Sequence, residues 1–225
     1  MKKAFRYIER LLCLSLAILL LALSLVSCSK GNKFKADGLG YVDKKTKVVY
    51  ALAPLCYEPI ALEEDIYGTD GELEFYKIKG QDPLERVGEA DGGVFYSEDL
   101  TIPYIDKMNV SRLEICTNAQ QIYIRDTVTD SSEISELINA YVSAEGIYYP
   151  NYAASRSYKL RFADSSLGIF YCLEFIRYEK DYVYTKNGEE INYGTDFLYN
   201  RYEEKFVPAP EALSSRIDAI IGSDE

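Results

Sequence analysis

Gly168-Ile169-Phe170-Tyr171-Cys172-Leu173-Glu174-Phe175-Ile176-Arg177-Tyr178 is apolar on both of its alternating faces. That pattern predicts a strand in the middle of a sheet, with neighbours on each side. Upstream, Arg112 to Cys116, Gln121 to Ile124 and Tyr158 to Phe162 read as further strands. Downstream, Tyr182 to Thr185 turns at Asn187-Gly188, a type I′ signal, back into Ile191 and Tyr193, and a last strand starts at Phe197. Two stretches have helical period. Ile134, Leu137, Ile138, Tyr141 and Val142 form one stripe behind Asp130 as N-cap, with Glu133 at capping-box spacing and Gly146 as the C′ stop. Leu213, Ile217, Ile220 and Ile221 form the other, led in by Pro208 and Pro210 and closed by Gly222. The class is therefore α+β, a predominantly antiparallel sheet with two amphipathic helices.

In the first half, Tyr41-Val42 and Val48-Val49-Tyr50 flank a polar stretch and predict a hairpin. Pro54 and Pro59 bracket a loop or edge segment, Leu73 to Ile78 alternates as a strand, and Asp91-Gly92-Gly93 punctuates before Val94-Phe95-Tyr96. The simplest organisation is one domain over 41–225; the alternative is two lobes divided near 103–110.

Leu25-Val26-Ser27-Cys28 closes a 17-residue uncharged run behind Lys2, Lys3, Arg6 and Arg10. It resembles the lipobox of bacterial lipoproteins. The resemblance implies a signal peptide over 1–27. It also implies a mature chain starting at Cys28, carrying two or three palmitate-type acyl chains. The chain would sit on the bacterial cell membrane or envelope and face away from the cytoplasm. Two chains anchor stably where one binds marginally. An uncleaved anchor is the plainer alternative, and 17 residues stand at the lower limit for a span. Residues 28–40, with Gly31, Gly38 and Gly40 among polar residues, read as a tether of about 20 Å.

Residues 1–27 hold four basic and one acidic side chain of the chain's 25 and 36, so the remainder carries net −14. Beyond Lys30, Lys33 and Lys35 the charge from residue 36 on is −17. Such a surface disfavours nucleic acid, while the three lysines suit an anionic membrane. The absence of His removes Ser-His-Asp and Cys-His systems and most zinc sites. Neither G-x-S-x-G nor C-x-x-C occurs, and no catalytic residue, metal or cofactor is predicted. Cys116 and Cys172 sit in apolar runs as buried free thiols, and Cys56 leaves an odd count. Glu63-Glu64-Asp65 with Asp70 lacks the order of a calcium loop and reads as a solvated acidic segment. Paired carboxylates survive as a chemistry. Glu174, inside the central apolar run, is the acid whose pKa burial would raise; the plainer alternative is an edge-facing Glu or one paired with Arg177.

Twelve of the 21 tyrosines fall between Tyr141 and Tyr202. Tyr148, Tyr149 and Tyr152 lie in a Pro-broken loop, and Tyr182 and Tyr184 share a strand face. Together they form a candidate contact patch for a glycan, small ligand or protein; the alternative is that they cover the helix starting at Asp130. The expected function is a binding or interaction module of the cell envelope, anchored to the membrane through Cys28, with an envelope protein or glycan as partner. Glycan capture on the tyrosine faces ranks next, and a carboxylate glycoside hydrolase third.

Overall fold

A computed structural model describes residues 31–223 apart from 91, 120, 151, 152 and 187. The first strands are β1 (Asn32–Asp37), β2 (Gly40–Asp43), β3 (Val49–Leu52), β4 (Tyr57–Pro59), β5 (Leu62–Thr69), β6 (Glu74–Ile78), β7 (Arg86–Glu89) and β8 (Val94–Ser97). All but β4 close into a barrel in the order β1-β2-β3-β8-β7-β6-β5. The hairpin expected around Tyr41 and Tyr50 forms, with Tyr41 opposite Tyr50 and Val42 opposite Val49. The tether does not extend as predicted: from Asn32 onward the chain is β1, paired with β2 from Phe34 opposite Asp43 to Asp37 opposite Gly40. Composition suggested a coil because only one residue of β1, Phe34, is buried, and a single inward ring leaves no readable alternation.

Closure is made by parallel pairing of β1 with β5, Asn32 opposite Gly68 and Lys33 opposite Thr69. A Cβ on Gly68 would lie 2.1 Å from Cε2 of Phe34, so only glycine admits that ring at the seam. Phe34 stacks on Phe75 at 4.5 Å, and Tyr50, Val87 and Phe95 complete the barrel core. The β2–β3 turn is held by buried Asp43, which accepts from the backbone N–H of Lys45 (2.8 Å), Thr46 Oγ1 (2.8 Å) and Asn32 Nδ2 (2.7 Å). Burial alone would raise its pKa; these donors outweigh it and hold the carboxyl below its ordinary range.

After a 3-10 turn at Ile105–Lys107 come β9 (Arg112–Thr117), β10 (Ile124–Val128), α1 (Ser131–Ser143), β11 (Arg156–Asp164), β12 (Ile169–Arg177), β13 (Val183–Lys186), β14 (Glu189–Asn192), β15 (Asp196–Asn200), β16 (Lys205–Pro208) and α2 (Glu211–Gly222). The main sheet runs β10-β9-β11-β12-β15-β16, antiparallel throughout, with β12 central as its double-faced pattern requires. β13 and β14 form a separate hairpin; Asn187 of its predicted turn lies outside the described residues. Two local expectations shift. β10 begins at Ile124 rather than Gln121, and exposed Ile122 and Tyr123 belong to the turn before it. α1 ends at Ser143 with Ala144 in extended conformation, so Gly146 is not its C′ residue. Of the two prolines leading into α2, Pro208 ends β16 and Pro210 is the N-cap.

Asp130 caps α1 as predicted, accepting from the N–H groups of Ser132 (2.8 Å) and Glu133 (3.0 Å). Glu133 turns instead to Arg216 of α2, in two bonds of 3.0 and 2.9 Å that tie the helices together. Both apolar stripes pack on Leu113, Ile115, Leu160, Phe162, Leu173 and Phe175 of the sheet. The same core includes Ile78, Val94 and Tyr96 from the barrel, so one continuous cluster joins the two sheets.

Candidate functional site

Helices cover only one face of the main sheet. Ile169, Tyr171, Leu173 and Phe175 of β12 enter the common core; Phe170, Cys172, Glu174 and Ile176 belong to the opposite, outer face. Strand pairing along β12 then creates a gap. Its edge away from β11 is shared by two strands, β4 opposite Ile169 to Tyr171 and β15 opposite Glu174 to Arg177. Between them, Cys172 and Leu173 meet only the end of the segment leading into β4, where the N–H of Cys172 donates to the Cys56 carbonyl at 2.6 Å.

A pocket of about 310 Å³ opens at this junction. Leu55, Cys56 and Glu58 wall one side; Tyr199, Asn200, Arg201 and Tyr202 wall the other. Lys159, Cys172 and Glu174 lie between, with Asn118 at the far rim. Register explains the grouping: Lys159 stands opposite Glu174 on one side and Glu174 opposite Tyr199 on the other, one row across three strands.

Two carboxyls in the pocket have opposite environments. Glu58 accepts from Lys159 Nζ at 2.5 Å and Arg161 Nε at 2.8 Å. Burial would raise its pKa, but these two cations outweigh burial and hold it below the ordinary range. Arg161 is in turn seated over the Phe170 ring at 4.4 Å. Glu174 accepts from Asn118 Nδ2 at 2.5 Å, and its pKa is raised: burial outweighs the opposing pull of Ser157, Arg201, Lys159 and Asn118. The structural reading that paired Glu174 with Arg177 does not hold. Arg177 binds Asp196 through Nε (2.7 Å) and Nη2 (2.5 Å) and reaches Asp218 at 2.5 Å. Burial pushes the Cys56 thiol up to about 12 and that of Cys172 upward as well, so neither is a ready nucleophile.

The turn carrying Arg201 and Tyr202 is fixed from beneath. Buried Asn200 accepts from the N–H groups of Tyr202 (2.9 Å) and Glu203 (3.1 Å) and donates to the Tyr171 hydroxyl at 2.6 Å. Glu203 accepts three hydroxyls, from Tyr104, Tyr141 and Tyr171, at 3.0, 3.1 and 3.1 Å. The pocket's outer wall is thereby pinned to the core.

The predicted tyrosine patch divides. Tyr148 meets Tyr184 at 5.4 Å, and both line a separate open groove of about 960 Å³ with Tyr193 and Glu204. Tyr149 packs on Tyr199 (5.2 Å) and Phe206 (4.9 Å), and Tyr182 on Tyr193 (6.0 Å) and Phe197 (6.1 Å). These rings cover an outer-face cluster of Ile176, Tyr178, Phe197 and Phe206, not α1. Tyr152 and Cys28 lie outside the described residues. Sequence reading missed Tyr199, Tyr202 and Glu58. The alternation from Phe197 signalled a partner face for Tyr199, whereas nothing local linked Glu58 to Lys159.

In β5, Glu64 and Asp65 are exposed, as a solvated segment would be, and Glu63 faces Lys77 at 3.5 Å on the surface; Asp70, just beyond β5, accepts from the N–H groups of Glu72 and Leu73. Among the described residues no group of three or more His, Cys, Asp or Glu side chains is placed to hold a metal ion, and no helix is long and apolar enough to cross a membrane. Comparison with protein-family models, curated proteins and solved structures finds no match to this chain.

Proposed function

We propose that this chain is a lipid-anchored binding module of the bacterial cell envelope, and that its domain captures a glycan in the pocket beside β12. One observation carries the reading: a pinned wall bearing Tyr199 and Tyr202 faces the half-buried carboxyl of Glu174 and the amide of Asn118 across about 310 Å³. A sugar ring offers an apolar C–H face to an aromatic side chain and a rim of hydroxyls to carboxyl and amide groups. Small-ligand sites have this composition, apolar walls with a few fixed polar groups. The resemblance of Leu25 to Cys28 to a lipobox supports the anchor.

Calorimetric titration with peptidoglycan fragments and neutral oligosaccharides tests the capture. Tyr202 is exposed on its turn, so Tyr202→Ala should weaken binding at least tenfold while the melting temperature stays close to wild type. Unchanged affinity in that variant would sink the reading. For the anchor, Cys28→Ala should move the protein from the membrane to the soluble fraction. A second reading has one supporting observation, the two carboxyls driven apart in pKa within one pocket, as in a glycoside hydrolase. Capture ranks above it because Glu58 is occupied by Lys159 and Arg161. Any turnover that survives Glu174→Gln would remove hydrolysis by this pair.

A further inference from the structure

If Cys28 carries acyl chains, the start of β1 limits how far the domain can stand from them. Only residues 29–31 separate Cys28 from Asn32, and four residue steps reach no more than about 14 Å fully extended. The start of the barrel must then lie within about 14 Å of the acylated residue, about two headgroup layers, so one of its sides faces the bilayer.

The sheet nearest that attachment has a distinct outer surface. Phe34 and Asp43 point into the barrel, so Lys33 and Lys35 point out, and Lys35 stands opposite Val42, itself opposite Val49. Lys44 donates its N–H to the Lys33 carbonyl at 2.9 Å, which brings the β2–β3 turn, with exposed Lys44, Lys45 and Lys47, beside the start of β1. Asp43 organises that turn from inside the barrel and contributes no exposed charge. At the far end of the β1–β2 ribbon, Leu39 is 95% exposed behind Gly38, whose φ of +60° suits a tight turn. Lys33 and Lys35 thus flank half-buried Val42 and Val49, with Lys44, Lys45 and Lys47 at one end of the ribbon and exposed Leu39 at the other; the exposed acids here are Asp37 on β1 and Glu98, whose N–H donates to the Val49 carbonyl at 2.9 Å, in a chain whose charge from residue 36 on is −17.

We infer that the outer face of β1, β2 and β3 rests on an anionic phospholipid surface, with the lysines at the phosphates and Leu39 and Val42 at the headgroup boundary. Lysine stems lie along apolar surface while their ammonium groups reach the headgroups. Each lysine close to such a surface favours contact about fivefold. The acidic remainder is repelled by the same surface, which fixes the orientation. The inference rests on the lipid-anchor reading above.

The test is lysine footprinting of the full-length protein, extracted from membranes and placed in vesicles of phosphatidylglycerol with phosphatidylcholine, in phosphatidylcholine alone, or in detergent. Acetylation at Lys33, Lys35, Lys44, Lys45 and Lys47 should fall several-fold in the anionic vesicles alone, while exposed Lys107 and Lys180 react equally in all three. Replacing Lys44, Lys45 and Lys47 by Glu, all on an exposed turn, should abolish the protection of Lys33 and Lys35 without lowering the melting temperature. Equal reactivity of all seven lysines in the three media overturns the inference. The same digest weighs the Cys28 peptide. An unmodified Cys28 removes the anchor and this orientation with it, whereas an acylated Cys28 with unprotected lysines removes the orientation alone.

Discussion

The barrel and the main sheet use one kind of pairing, antiparallel strands joined by short turns, yet they treat their second face differently. In the barrel, β1 to β5 closure turns one face inward on Phe34, Tyr50, Phe75, Val87 and Phe95, and leaves no unpaired edge among the seven strands. In the main sheet one face is covered by α1, α2 and the barrel wall, while the other carries Glu58, Lys159, Arg161 and Glu174. The barrel's inward side chains pack into one cluster; the edge of β12 away from β11 is divided between β4 and β15, and the division leaves space. A pocket arises where two strands compete for one edge, not where a sheet closes on itself.

The comparison can be broken or sharpened by substitution. Phe75 is wholly buried and touches Phe34, Tyr41 and Phe95, so Phe75→Ala should cost about 3–5 kcal/mol in urea unfolding. Because one core joins barrel and sheet, the loss should move a single transition. Two separated transitions, only one displaced, would show that the regions melt independently. Glu58→Gln leaves Lys159 and Arg161 without their carboxylate and should cost about 3 kcal/mol, near the lower bound for a partly buried group. Pairing it with Lys159→Met should recover part of that loss. Glu203→Ala removes the acceptor of three tyrosine hydroxyls, two of them on fully buried Tyr141 and Tyr171. It should cost about 2 kcal/mol and loosen the turn at Tyr202, seen as faster amide exchange there.

The smallest effect is the pH dependence of Glu174. Its folded pKa is raised by burial, so the folded state binds that proton more tightly than the unfolded chain, where Glu titrates near about 4.3. Its contribution is fully present below the unfolded value and is lost as pH rises through the folded one. Glu174→Gln should therefore match wild type in acid and exceed it in stability at neutral pH, with a flatter profile between. A profile that stays parallel to wild type would place Glu174 in a solvated setting, as unlike the barrel interior as any surface acid.

Much of the frame was readable from local pattern. Period 3.6 placed both helices, double-faced apolarity placed β12 at the centre, and the spacing of Tyr41 and Tyr50 placed a hairpin. The site was not. Glu58 lies in a three-residue strand bracketed by prolines, and its cations are 101 and 103 residues further along the chain. The predicted tyrosines were placed in a Pro-broken loop and on one strand face, but Tyr149 and Tyr182 cover an outer-face cluster of Ile176, Tyr178, Phe197 and Phe206 brought together from distant strands.

By itself, the sequence determined the inward faces of both helices, the double-faced character of β12, the Asp130 cap, the absence of histidine and the likeness of Leu25 to Cys28 to a lipobox. Only the tertiary structure decided that the presumed tether is a barrel strand, that β4 crosses to β12, and that Glu174 faces Lys159 and Tyr199. The physical reason is range. Side-chain alternation and capping act within a turn or two, whereas the choice of a distant strand partner is settled by summed burial over the whole core.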